Sequence, residues 1–274
     1  MSHHLTQKIM STSKINSKTV VFITGAFVGN NGWDSWKSYF EGKGYSTSAP
    51  AWPHKNASPS ALRERQGNDS DLATLHLSEV LDHYAAIIQK LPEKPILIGH
   101  SLGGLMSQIL LDRGLASAAV SIHPVPPQGV LPTQFSFYKA TWKPLGFFTS
   151  AKKTHLMSLK EWQYAFTNGM SLADQKLSYE QNAIPESKTV LRDGLTKVAK
   201  IDFSKPHAPL LLTSGDLDQI IPAGSTRATY KKYKNGNGVS VTDYKDFAGR
   251  NHYVLGQPTW KEDADYILDW IAGH

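Results

Sequence analysis

"KPILIGHSLGGLMSQILL", Lys94 to Leu111, decides the fold. Its first half, PILIG, is a short apolar run that reads as a strand buried on both faces. Its second half, SLGGLMSQILLDRG, reads as a helix with a glycine stop at Gly114. Between them stands GHSLG, Gly99 to Gly103, a G-x-S-x-G pattern placed directly after a strand and directly before a helix. That context distinguishes a nucleophile elbow from an ordinary tight strand–helix turn. The elbow forces Ser101 into a strained conformation, which demands small residues two positions to either side, and Gly99 and Gly103 supply them. Gly104 lets the following helix pack close to the sheet. The backbone N–H of Leu102, at the helix start, points to where an oxyanion would form.

Working outward, strands and helices alternate. KTVVFITG (Lys18 to Gly25) is an apolar, β-branched strand; NNGWDSWKSYFEGKG places Trp33, Trp36, Tyr39 and Phe40 at helical spacing. YSTSAPAWP is a second strand that ends at prolines, and residues 53–73, polar and rich in turn formers, read as a loop. Leu75 to Leu91 is an amphipathic helix, and SAAVSIH is the strand after the Ser101 helix. Farther on, APLLLTSG and VSVTDYKDF are strands separated by a helix starting near Ala223, and PTWKEDADYILDWIAG closes the chain as a helix. Such alternation implies right-handed crossovers and an α/β architecture, with a mostly parallel sheet of about six strands covered on both faces. Ligands of such sheets gather at the carboxyl ends of the strands.

The alternation breaks between 124 and 207. This stretch carries eleven aromatics, among them Trp142, Trp162 and Phe166, and two helix starts, SLKE from Ser158 and SLAD from Ser171. It is too long for a loop and reads as a helical cap inserted after the fourth strand. The expected organisation is a leader over 1–18, a core over 19–123 and 208–274, and a cap over 124–207.

A serine hydroxyl needs a histidine to take its proton and a carboxylate to orient that histidine. After an elbow the chain order is Ser, acid, His. LLLTSGDLDQIIP offers Asp218 beyond a strand end, with Asp216 as a solvated turn residue, and FAGRNHYVLG offers His252 after the last strand. The second oxyanion donor belongs in TGAFVGNNGW, with Ala26 as first choice and Phe27 as second. Phe27, His100, Trp142, Trp162 and Phe166 are candidate substrate-binding residues.

Composition narrows the alternatives. The 274 residues contain no cysteine, which excludes disulfides, thiolate metal sites and cysteine nucleophiles. The formal charge of +6 is spread in lysine pairs with no recognition motif, which argues against nucleic acid. The first 18 residues are polar and lack the apolar core of a secretory signal, and no run reaches the roughly 18 apolar residues of a membrane span. A soluble, cytoplasmic location is the expectation. The histidines are dispersed, and SHH at 2–4 reads as a flexible terminus, so no metal and no cofactor are expected.

GHSLGG, GDLDQIIP and GRNHYVLGQPTW resemble the nucleophile, acid and histidine positions of the α/β-hydrolase superfamily, and the alternation outside the cap resembles its sheet. The chain is similar to bacterial hydrolases that pair GWDSWKSYFEGKGY and APAWP with PPQGVL before the cap. The resemblance implies an α/β-hydrolase fold beginning at the third strand of the usual order. It also implies that haloalkane or epoxide chemistry, which needs a carboxylate at position 101, is disfavoured. Thr24-Gly25 stands where many relatives have His-Gly. His123 stands where some relatives carry an aspartate, and either lines the pocket or caps the strand; it removes the alternative place for the acid and so favours Asp218.

The expected activity is a cofactor-independent serine hydrolase acting on an ester, thioester or lactone, with an apolar or aromatic small-molecule substrate under the aromatic cap. Acyl transfer or perhydrolysis by the same triad is the alternative within chemistry. A ligand-binding receptor with little turnover is the alternative outside it. The oligomeric state is left open.

Overall fold

The structure, a computed structural model, describes residues 14–274. Its elements run β1 (Thr19–Ile23), α1 (Asp34–Glu41), β2 (Ser46–Ser48), α2 (Pro59–Glu64), α3 (Ser70–Thr74), α4 (Leu77–Ile88), β3 (Ile96–His100), α5 (Leu102–Asp112) and β4 (Ala118–Ile122). Then follow α6 (Phe135–Leu145), α7 (Leu159–Ala165), α8 (Leu172–Asn182) and α9 (Lys188–Asp193). The chain returns to the sheet with β5 (Leu210–Gly215), α10 (Ala223–Gly236), β6 (Thr242–Phe247) and α11 (Trp260–Gly273).

The six strands form one sheet in the order β2-β1-β3-β4-β5-β6, every pairing parallel. The apolar runs explain the centre: β3, β4 and β5 are buried at every position. In β1, Val20 and Phe22 face a layer holding Trp33, Trp36, Phe40 and Ile267, while Val21 and Ile23 face Tyr84 and Leu105. Period-two alternation thus sends apolar side chains to two separate cores, one per face. The spacing of Trp33, Trp36 and Phe40 is used for that packing: the Trp33 ring stacks on Phe22 at 4.7 Å and meets Trp36 edge-on at 5.7 Å. Helix α5 runs through the centre, with ten of its eleven residues buried.

Two expectations need correction. Residues 53–73 contain α2 and α3, whose turn-forming residues are caps: Ser58 accepts from Ala61 N–H and Asp69 from Leu72 N–H. Their apolar residues Leu62, Leu72 and Ala73 are too few to show a periodicity, yet they are buried. Arg63 of α2 also donates to the Glu180 and Ala183 carbonyls near the end of α8, which ties this segment to the insertion. Of the 1–18 leader, residues 1–13, including SHH at 2–4, lie outside the described residues. Residues 14–18 are not loose: Ile15 N–H donates to the His274 carbonyl at 2.7 Å, and Ile15 and Ser17 are buried. Among the described residues no helix is long and apolar enough to cross a membrane.

Candidate active site

Ser101 sits between β3 and α5 with φ 59° and ψ −121°, a left-handed-side conformation that a non-glycine residue adopts only under constraint. The constraint is visible. Ser101 N–H donates to the Ile122 carbonyl of β4 at 3.0 Å, and its carbonyl accepts from Gly104, Leu105 and Val125 N–H. The flanking glycines are required sterically. A Cβ on Gly99 would overlap the Gly103 carbonyl, and one on Gly103 would overlap the Ile23 carbonyl of β1.

The three residues expected to act together come together. His252 Nε2 lies 2.9 Å from Ser101 Oγ, and His252 Nδ1 lies 2.6 Å from Asp218 Oδ2. All three are buried. Asp218 Oδ1 accepts from Ile220 and Ile221 N–H at 3.0 and 2.7 Å, which fixes the carboxylate plane. Burial pushes the Asp218 carboxyl up, but the charge of His252 and the hydrogen bonds from His123 and His252 outweigh it and hold it well below the usual carboxylate range. Asp216 instead accepts from Gly249 N–H in a turn at the surface.

His123 has a role that neither sequence reading named. It stands at φ 45° after β4, and its Nδ1 lies 2.8 Å from the same Asp218 Oδ2 that faces His252. Asp218 is therefore held by two imidazoles. Gly215 makes this possible, because a Cβ there would sit 2.7 Å from His123 Cε1. His123, Asp218 and His252 place ligand-type atoms within 4.8 Å of one another; both Nδ1 atoms are engaged with Asp218 Oδ2, and His123 Nε2 is buried without a partner among the described residues.

Ala26 and Leu102 lie beside Ser101, and neither N–H has a partner among the described residues. Phe27, the second choice as donor, does not fit. At φ 67° its N–H turns away and donates to Glu186 Oε2 at 3.0 Å. Glu186 and its partner Lys55 carry no sequence signal. Both are buried, with Lys55 Nζ 2.7 Å from Glu186 Oε2 and 3.8 Å from the Trp52 ring centroid. Trp52 Nε1–H donates to the Thr24 carbonyl, Ile184 N–H donates to the Phe27 carbonyl, and Val28 bridges Ala183. The segment after α8 thereby fastens the loop that carries Ala26.

Two cavities flank the serine–histidine pair. One, about 70 Å³, is apolar; Ala26, Ser101, Leu102, Phe137, Phe166 and Ile221 are among its walls. The other, about 390 Å³, has walls of mixed polarity and reaches His252 from beside Thr24, Trp33, His100 and Asn182. Burial, reinforced by the neighbouring imidazoles of His252 and His123, holds His100 well below the ordinary histidine pKa. Of the expected substrate-binding residues, Phe27 and Phe166 line the apolar cavity, and Phe166 meets His252 edge-on at 4.8 Å. His100 lines only the larger, mixed cavity, 4.7 Å from the His252 ring. Trp162 lies behind Phe166, stacked at 4.2 Å, and walls neither. Trp142 is misplaced by the sequence reading: it points outward from α6, 60% exposed, because the cap's inward face is taken by Phe137, Ala140 and Pro144.

The fold is shared with solved structures at low identity. A monoacylglycerol lipase of Paleococcus ferrophilus is 20% identical over 93% of this chain and 94% of that one, with a TM-score of 0.65. A methylesterase from Arabidopsis is 16% identical over 93% and 99%, also at 0.65. Tomato methylketone synthase I, complexed with 2-tridecanone, is 18% identical over 92% and 97%, again at 0.65. A search of the curated proteins finds no match. Residues 20–261 match the sequence pattern of the alpha/beta hydrolase family, and the chain belongs to it.

Proposed function

We propose that the protein is a serine hydrolase that cleaves a carboxylic ester, thioester or lactone through an acyl-enzyme on Ser101. The observation that carries the reading is the unbroken chain Ser101 Oγ, His252, Asp218 at 2.9 and 2.6 Å on a strained elbow. In this reading His252 Nε2 takes the Ser101 proton as Oγ attacks the carbonyl, and Asp218 stabilises the imidazolium that forms. Ala26 and Leu102 N–H donate to the tetrahedral oxyanion, each contributing on the order of 10²-fold or more in rate. The imidazolium then protonates the departing alcohol or thiol, and water activated by His252 releases the acid. The apolar cavity suits the acyl portion, and the larger cavity beside His252, with Thr24, His100 and Asn182 among its walls, suits the approach of water.

The test is fluorophosphonate labelling with steady-state p-nitrophenyl ester turnover across acyl chain lengths. Labelling of the wild-type chain that is lost in Ser101→Ala, together with continuous turnover, supports hydrolysis. Labelling without release points to the receptor-like alternative. Loss of free acid when an alcohol or peroxide is added points to transfer. No labelling in folded protein overturns the reading.

A further inference from the structure

Helix α6 is apolar on two faces. Phe137, Ala140 and Pro144 are buried, with Phe137 and Pro144 lining the cavity that holds Ser101. Phe135, Tyr138 and Trp142, at the same i, i+3, i+7 spacing, form a second stripe that faces outward. Phe135 is 78% exposed, and after the helix Phe148 is 89% exposed, with Leu131 and Phe147 exposed nearby. Among the described residues, every large aromatic side chain that is strongly exposed falls within this one stretch. Scattered apolar residues on a surface need no explanation, but a contiguous set does.

The charge around the stripe is mainly positive. From Arg113 to Lys160 the sequence contains no Asp or Glu, while Lys139, Lys143, Lys152, Lys153 and Lys160 are all exposed. Phe135, Tyr138 and Trp142 share the walls of an open groove of about 530 Å³ with Lys139, Lys143 and Lys160; the one carboxylate in its wall, Glu161, lies 3.7 Å from Lys143 Nζ and is outnumbered by the lysines. Aromatic rings that project outward between lysine ammonium groups are suited to an anionic, apolar-centred surface: the rings enter the acyl boundary and the lysines meet the headgroups. A second copy of the chain fits less well, because a self-complementary contact would set the lysines against their own equivalents with only Glu161 in the groove to offset them.

We propose that the outer face of α6, with the Phe147–Phe148 turn, docks the protein on an anionic lipid surface. The opposite face of the same helix roofs the Ser101 cavity, so docking brings the lipid phase to the cavity wall. On the hydrolase reading, which this last step rests on, the substrate is an ester with a lipid-soluble acyl chain.

The test is co-sedimentation of the full chain with vesicles of phosphatidylcholine alone and with about one third phosphatidylglycerol, at low and high salt. Retention is expected on the anionic vesicles, weaker on the neutral ones, and reduced by salt. Trp142→Ser with Phe148→Ser should weaken retention at least about tenfold, and Lys139→Glu, Lys143→Glu and Lys160→Glu roughly fivefold each. Thermal melts check that these variants, altered only at exposed positions, remain folded. Absence of retention, or undiminished retention of the folded double-serine variant, overturns the proposal. So does equal binding to soluble polyglutamate, which marks mere charge. A dimer in sedimentation velocity that the double-serine variant abolishes assigns the face to a second copy. Binding is read without catalysis and labelling without vesicles, so failure of docking and failure of the hydrolase reading are separate results.

Discussion

Replacing Glu186 by Gln isolates the contribution of the buried ion pair that fastens the loop bearing Ala26. Lys55 and Glu186 are 2% and 0% exposed, so the substitution strands an ammonium with no water to receive it. Burial pulls the Lys55 pKa down, and Glu186 opposes that pull. Breaking a buried pair from one side costs about 3–5 kcal/mol. An independent bound agrees: discharging an ordinary lysine at pH 7 costs about 4.6 kcal/mol, from a reference pKa near 10.4 and about 1.36 kcal/mol per pH unit. The loss cannot exceed that figure by much, because Lys55 would release its proton first. The glutamine retains a carbonyl for Phe27 N–H, so the backbone bond at 3.0 Å adds little to the change.

Denaturant unfolding of wild type, Glu186→Gln, Lys55→Met and the double variant completes a cycle, with an expected coupling of about 2 kcal/mol or more. The pH dependence carries a sign. In Glu186→Gln the folded chain holds Lys55 at a lower pKa than the unfolded chain does, so the unfolded state binds more protons and stability rises from pH 7 toward about pH 9.5. A Glu186→Gln variant within about 1 kcal/mol of wild type, and flat over that pH range, would refute the reasoning.

Asp218→Asn should lower kcat on the order of 10⁴-fold with little change in KM, the size seen when a triad aspartate is replaced, as measured by ester hydrolysis. His123→Leu should lower kcat/KM roughly tenfold by removing the second hydrogen bond to Asp218 Oδ2, with His123→Gln recovering part of it; equal rates for all three proteins would give His123 no positioning role. Gly103→Ala should lose about 3 kcal/mol or more of stability, or fail to fold, because its Cβ overlaps the Ile23 carbonyl. Stability should be full above about pH 6.5 and decline below it, since unfolded His100 takes up a proton there and the buried ring does not; melting His100→Gln from pH 8 to 5 should show a shallower slope. Asp218 adds a stabilising contribution that is full above its unfolded pKa near 3.9 and is lost as the pH falls toward its lower folded value.

The core was legible because its causes are local. Buried parallel strands are continuous apolar runs, and GHSLG needs glycines whose reasons are steric and close in sequence. Asp218 and His252 were legible because their order along the chain is informative even though 34 positions separate them. Lys55 and Glu186 were not: 131 positions apart, each resembles a solvated surface charge until the fold brings them into one dry pocket. His123 was visible as an anomaly but its partner was not, since Asp218 Oδ2 could be assigned only to one histidine from the sequence. Trp142 was named from its place in an aromatic-rich insertion, which does not tell the two apolar faces of α6 apart; it falls on the outward one.

The bond set linking residues 183–187 to the loop at 24–28 also limits how the insertion can be treated as an exchangeable part. A cap grafted from a relative without an acid at 186 would leave Lys55 without its anion and release Phe27 N–H toward the serine. A chimaera would then lose the loop geometry around Ala26 while Ser101, His252 and Asp218 kept theirs, and would be misread as a change of specificity. A transplant that respects the joint takes Ala183 to Lys188 and Lys55 as one unit and makes its cut before α8.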